Sequence, residues 1–486
     1  MKSIDIAIIG GGVIGCAAAY YLAKYNARVA VIEAKSDVAM GASRANSGII
    51  HAGFDADPSK LKGKLNAKSN AMFDELAANL NFNFKRVGAL VVAFSEEDLP
   101  NLQKLKEQGI ANGVPSLEVI SGDEARKLEP NLTDEVTGAL HAPSSGIICP
   151  YDFTIAMAEC AADNGVEFNF NTKVENIAEV DGGFVIFTNN EEYKAKVVIN
   201  AAGLHSDIIN NYINNEKFEI LPRRGQYALF DKSASDVVSR TIFQLPTKAG
   251  KGVLVTQTAD GNLLVGPNAV DLNDKQCNET TAGGHDEILQ KAAMSIKNIP
   301  ARFIITKFSG IRARNIDDDF IIGRCKNNLR FINAASIESP GLSSAPLIGK
   351  MVSEMARDEL KLTENANFNP KREKPRRLHE MNDDETAQAI AHNKLFGKVV
   401  CRCEKVSEGE IVEAINRPVG ATTIDGVKRR TRAGMGRCQG GFCCGKVLDI
   451  LSRELNLPKT EITKSGAGSE LLVGLNKEDL GGQSHE

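Results

Sequence analysis

Residues 4–34 read IDIAIIGGGVIGCAAAYYLAKYNARVAVIEA, and the spacing within this stretch decides the fold. The apolar run at 4–9 predicts a short buried strand. A glycine-rich turn follows, then CAAAYYLAKY, which has helix-forming composition, then RVAVIEA as a second strand. Gly10, Gly12 and Gly15 make G-x-G-x-x-G between strand and helix. The first permits a tight turn, the second lets backbone approach a pyrophosphate, and the third allows close helix–strand packing. The helix N-terminus adds partial positive charge. Glu33 ends the second strand, 18 residues after Gly15, where a carboxylate accepts bonds from an adenosine ribose. The unit reads as a dinucleotide cradle at the start of an α/β fold.

The rest of the chain has a composition close to a soluble globular average. Its 486 residues imply two to four domains, with 42% hydrophobic and 25% charged residues. Lys and Arg number 58 against 62 Asp and Glu, so no global basic field favours nucleic acid. No apolar run is long enough to span a bilayer, and Asp5 interrupts the start where a signal segment would need an apolar core. Mixed helical and strand patterns run from about 55 to 220, and strand-like runs (GQYALF, KGVLVTQT, NLLVGPN) dominate from 221 to 310. The break at DGN reads as a hairpin, and 348–360 as a helix. Residues 361–395 are polar and charged, the composition of a linker with one short helix. The tail, 457–486, is rich in glycine and charge, and its last ten residues are expected to fray.

Residues 41–53, GASRANSGIIHAG, follow the cradle with Ser43, Arg44, Asn46 and Ser47, a polar segment fit to wrap a phosphate or a flavin edge. INAAGLHSD (199–207), GIRARNIDDDFIIG (310–323) and SIESPGLSSAPLIGK (336–350) come later in the same order. Together these segments resemble the D-amino-acid-oxidase-like superfamily of FAD-dependent oxidoreductases over residues 1–360. The resemblance implies a Rossmann-like FAD-binding domain, in segments 1–80, 145–220 and 305–360, interleaved with a mixed β-rich substrate domain at 81–144 and 221–304. It also implies one bound FAD, with Val174, Ala202, Gly203, Gly341, Leu342 and Ser343 completing the cofactor set.

Five of the ten cysteines crowd between 401 and 444. Without a signal segment, such clustering favours metal ligation over disulfides and a reducing compartment. Cys401, Cys403, Cys438 and Cys443 form C-x-C-x34-C-x4-C, with Cys444 an alternative fourth ligand. Four thiolates serve a [2Fe–2S] cluster or a structural zinc; the one-residue gap departs from ordinary zinc spacing and tilts the reading to the cluster. Residues 396–456 resemble the bacterioferritin-associated-ferredoxin-like [2Fe–2S] domain, a small helical module, in the form that ends the A-type subunits of anaerobic glycerol-3-phosphate dehydrogenases; that match favours Cys443. Lys405, Lys428, Arg429, Arg430, Arg432 and Arg437 surround these cysteines in sequence. Nearby cations would raise the cluster potential and could steer an acidic partner, so charge reversal at Arg429 and Arg430 should shift the midpoint; a basic run can also be simply a solvated face.

A two-electron flavin beside a one-electron cluster implies a dehydrogenase. His51 is the candidate base for a substrate hydroxyl. Arg312 and Arg314, two apart on a strand, point to one face and suit an anionic substrate, with Arg224 as a further contact. The whole-chain layout resembles the A-type subunits and implies oxidation of sn-glycerol 3-phosphate to dihydroxyacetone phosphate. ANSGIIHAGF and SPGLSSA resemble the L-2-hydroxyglutarate dehydrogenase branch, which keeps 2-hydroxy acids open. Amines or opines, and a non-catalytic electron-transfer subunit, are the remaining alternatives. The resemblance implies a second flavoprotein or iron–sulfur subunit as electron acceptor. It also implies a cytoplasmic place that meets the inner face of the cell membrane only through partners.

Overall fold

The computed structural model describes residues 1–245 and 252–474. It divides into a unit of Met1–Ala34 with Val38–Lys374 and a unit of Lys35–Asp37 with Pro375–Glu486.

In the larger unit, strand Lys2–Ile9 lies between Val29–Ile32 and Tyr193–Asn200, parallel to both. Glu167–Asn169 extends the sheet beyond Val29–Ile32, and Phe331–Ala335 pairs with the end of Tyr193–Asn200, again in parallel. Ile6 to Ile9 are buried on both faces, which is why their sequence is continuously apolar rather than alternating. Helix Val13–Leu22 is buried along its whole length. It packs against helix Gly341–Leu360, where a Cβ on Gly349 would sit 2.5 Å from that of Ala17. The later helix begins seven residues before the predicted segment at 348, so Gly341, Leu342 and Ser343 form its first turn. Pro346 lies inside this helix, at its sixth residue, and so gives up the bond an N–H there would make to the Leu342 carbonyl.

Among the described residues the second sheet has nine strands. Leu221–Phe230 pairs antiparallel with Ile304–Arg314, with Arg223 opposite Arg312 and Gly225 opposite Gly310. The second of these strands, expected to open the last FAD segment, belongs to this sheet. The DGN turn joins antiparallel strands Val255–Gln257 and Leu263–Val265, as the hairpin signal predicts. Ala228 and Phe230 bury into a core with Leu90, Ile242, Val255 and Ile288. The last of these residues lies on helix Ala282–Ser295, which covers that face.

Residues 361–395 do not form a free linker. Asn365 N–H donates to the Lys24 carbonyl, and Arg372 is buried, 2.6 Å from Glu159 and 3.6 Å from Asp152. Charge in a polar stretch reads as solvated, yet this arginine serves a buried carboxylate pair. Removing one partner of such a group costs about 3–5 kcal/mol, so Arg372→Met should lower the melting temperature sharply. In the smaller unit Asn382 caps helix Asp383–His392 in a capping box with Glu385.

That unit carries a two-strand hairpin, Val399–Cys401 with Val406–Ser407, and helices Glu408–Asn416, Ile424–Thr431 and Cys444–Leu455. Val406, Ile411, Val427 and Leu451 centre its core. The last ten residues lie outside the described residues. Among the described residues no helix is long and apolar enough to cross a membrane.

Candidate functional site

The glycine cradle has the geometry its spacing predicts. Gly10 has φ +107°, and a Cβ there would sit 2.5 Å from the Ala201 carbonyl oxygen. A Cβ on Gly15 would collide with the Gly10 carbonyl. Gly12 is the N-cap of helix Val13–Leu22, with only Ser43 Oγ near its missing side chain. Ser43 Oγ accepts the Val13 N–H at 2.9 Å, and Glu33 Oε2 accepts the Gly11 N–H at 2.6 Å. Asn46 works inside its loop: its amide donates to the Ala42 and Ser43 carbonyls and its oxygen accepts the Gly48 N–H. Arg44 and Ser47 are half-buried on that loop. Val174 packs in the core beside Ile4 and Ile32, so its side chain supports the sheet. Ala202 and Gly203 (φ +56°) turn the chain at the end of Tyr193–Asn200, against the cradle. On helix Gly341–Leu360, buried Ser344 Oγ has no protein partner, an orphaned polar atom in a first turn suited to a flavin. Cradle, loop and helix end fit FAD.

His51 is buried and packs against Phe54 and Phe243, ring centroids 4.5 and 5.4 Å away. Its N–H donates to Ser343 Oγ at 2.7 Å, and its carbonyl accepts from Asn66 and Asn70 of helix Leu61–Asn70. Nδ1 accepts the Gly53 N–H at 3.1 Å. A neutral ring so placed carries its proton on Nε2 and presents a donor. The base role expected from sequence requires the other tautomer and the loss of the Gly53 contact.

Strand alternation sorts the arginines. Arg312 and Arg314 share a face with Gly310, whose missing Cβ would run into Ala45 of the polar loop. Arg312 Nη2 is 3.3 Å from the Asn268 carbonyl, and its charge opposes the effect of burial on the Tyr227 hydroxyl, whose pKa stays raised. Arg224 points to the opposite face, buried, with Nη1 3.6 Å from Cys277 Sγ. The structure therefore separates Arg224 from the other two, because adjacent residues of a strand face opposite ways.

Sequence reasoning missed the group beside Arg314. Buried Lys62 donates to Asp318 at 3.0 Å and Glu338 at 2.9 Å. Burial pushes the Asp318 carboxyl up, but the Glu338 hydrogen bond and the Lys62 ammonium prevail and hold it at about 2. Arg314 Nε lies 3.9 Å from the same carboxylate. Nothing in the spacing of these residues signals their meeting.

In the smaller unit the thiols come in two pairs. Cys403 and Cys438 are 3.8 Å apart, and Cys443 is hydrogen-bonded to Cys401, holding the latter below the usual thiol range. Two pairs suit two irons with two thiolates each. Cys444 opens the last helix and belongs to neither pair.

Residues 5–355 match the family model described as FAD dependent oxidoreductase. The chain belongs to that family. This FAD-dependent oxidoreductase also matches the BFD-like [2Fe-2S] binding domain at 399–453. It is 51% identical to a glycerol 3-phosphate dehydrogenase of Caloramator mitchellensis, covering 98% of this chain and 99% of the relative. It is 34% identical to L-2-hydroxyglutarate dehydrogenase of Escherichia coli (strain K12), over 55% of this chain and 64% of the relative. The L-α-glycerophosphate oxidase of Mycoplasma pneumoniae, with FAD bound, superposes with TM-score 0.73 at 34% identity, covering 76% of this chain and 99% of the other.

Three of the six cations in the oxidoreductase's basic run are buried, so the run is not a solvated face. Arg429 and Arg430 are buried and share Asp37, with Arg430 at 2.8 Å; Arg432 pairs with buried Glu404 at 2.8 Å. Asp37 balances only one of the two guanidiniums it meets, and both are buried, so reversing Arg429 or Arg430 would inter a carboxylate beside Asp37 and disrupt the unit. Burial alone would raise the Asp37 carboxyl, but the two guanidiniums hold it below its usual range. A depressed pKa contributes stability above the unfolded value and loses it as pH falls through the folded one. Asp37→Asn should therefore cost about 3–5 kcal/mol at pH 7. Urea melts should show the gap to wild type closing only below pH ~3.9.

Proposed function

We propose that this FAD-dependent oxidoreductase oxidises sn-glycerol 3-phosphate to dihydroxyacetone phosphate. The observation that carries the reading is the 51% identity to a glycerol 3-phosphate dehydrogenase along nearly the full length of both chains, cluster module included. Bound FAD supplies a two-electron acceptor for the substrate C–H. The [2Fe–2S] cluster, held by Cys401, Cys403, Cys438 and Cys443, supplies a one-electron exit toward a second flavoprotein or iron–sulfur subunit. Membrane contact comes only through such partners.

The protein's own groups divide the remaining work. Arg312 and Arg314 face the polar loop and bind the phosphate dianion by charge-assisted hydrogen bonds. Phe54 and Phe243 exclude water around the His51 ring. From Nε2 the ring donates to the substrate oxygen and stabilises the charge that grows there, while the hydroxyl proton passes to the Asp55 carboxylate, 3.8 Å from Nε2.

Anaerobic titration tests this directly. Glycerol 3-phosphate should bleach the flavin and then the cluster, and L-2-hydroxyglutarate should bleach neither; the reverse order of substrates would overturn the reading. Arg312→Ala should lower kcat/KM about 10–100-fold, the worth of a lost hydrogen bond to a charged group. Arg224→Ala, on the other face, should leave substrate affinity near that of the native chain.

A further inference from the structure

Phe442 is the one exposed aromatic ring among the described residues, at 89% of full exposure, and it directly precedes the ligand Cys443. An exposed ring of this kind costs solubility, and its neighbours are selective. Arg402 and Lys405 flank Cys403, Arg437 precedes Cys438, and Lys446 follows Cys443 on the next helix; all four are exposed. Every Asp and Glu between 401 and 446 is buried or half-buried. Cys403 is itself exposed, so one thiol of the site reaches the surface. The patch is a single apolar anchor with four exposed cations close to it in the chain, beside a redox site; the next exposed acid along the helix, Asp449, is paired with Lys459 at 2.7 Å.

We propose that this patch is the docking surface for a one-electron carrier protein with an acidic face around an apolar centre. The inference deepens the proposed function and rests on its premise that the cluster is the electron exit. The cations supply long-range steering, and Phe442 supplies the buried central contact of the encounter. The electrons balance simply. Oxidation of one CH–OH to C=O releases two electrons and two protons. Two carrier molecules dock in succession and take one electron each, and the protons pass to solvent. A lipid surface would also suit an aromatic among cations, but it gives no reason for the patch to centre on an exposed ligand thiol.

The test uses the FAD- and cluster-loaded protein with two haem carriers, cytochrome b5 with its acidic surface and cytochrome c with its basic one. Calorimetry on the oxidised proteins reads binding alone. Stopped-flow after reduction with dithionite reads transfer without glycerol 3-phosphate, so a wrong substrate assignment leaves the test intact. Cytochrome b5 should bind and be reduced faster than cytochrome c, with an association rate falling at least tenfold between low and physiological salt. Phe442→Ser and the double variant Arg402→Glu with Lys446→Glu should each weaken binding at least tenfold, with unchanged cluster absorbance; Lys127→Glu, an exposed charge of the larger unit, should not. Wild-type binding in both patch variants would overturn the proposal, as would equal loss in Lys127→Glu or a preference for cytochrome c. Sedimentation with phosphatidylserine vesicles that depends on Phe442, without carrier binding, would replace it with a lipid surface.

Discussion

Cys443→Ser should yield a protein that binds flavin and lacks the iron–sulfur spectrum. Glycerol 3-phosphate should still bleach its flavin, but no electrons should reach a one-electron acceptor through the smaller unit. Cys444→Ser should keep the full cluster absorbance. The contrast follows from the pairing of thiols: Cys443 is buried and bonded to Cys401, whereas Cys444 opens a helix and stands outside both pairs. A hydroxyl in place of a ligand thiolate leaves one iron with a single thiolate from the chain. Iron counts per chain and the reduced-state EPR signal measure the outcome. A loaded cluster in Cys443→Ser together with an empty site in Cys444→Ser would reverse the ligand assignment.

His51→Asn should slow flavin bleaching by about 10²–10³-fold, the scale for losing one donor to developing oxyanion charge. His51→Gln is the informative companion, because its amide N–H reaches nearer the Nε2 position and should recover part of the rate. The expectation rests on Gly53, whose N–H occupies Nδ1 and leaves Nε2 as the protonated nitrogen. If glutamine is as poor as asparagine, and the native rate rises with pH through the imidazole range, the ring accepts the proton. That result would restore the base role that sequence alone suggested.

These expectations show where sequence reading reaches. The cradle was legible because glycines at fixed spacing between a strand and a helix have few other uses, and Gly10 and Gly15 indeed have no room for a side chain. The same-face placement of Arg312 and Arg314 followed from strand periodicity alone. Arg224 fits the same rule, once its neighbour Arg223 is set opposite Arg312 by a register that no single strand discloses. Arg429 and Arg430 were read only as cations near the cluster because their counter-ion is about 390 positions away in the chain. Lys62 was invisible for a like reason: its partners Asp318 and Glu338 lie more than 250 residues downstream. Local spacing reveals chemistry borne by one segment, and it is silent on charges that meet only after folding.

The place of Asp37 bears on how such a chain could be inherited or cut. A fragment starting at Pro375 retains every cluster ligand yet lacks the anion that Arg429 and Arg430 share. Arg429 and Arg430 would then lose the carboxylate they share. In this chain the iron–sulfur module is therefore not built from C-terminal sequence alone; it borrows an acidic residue from near the beginning.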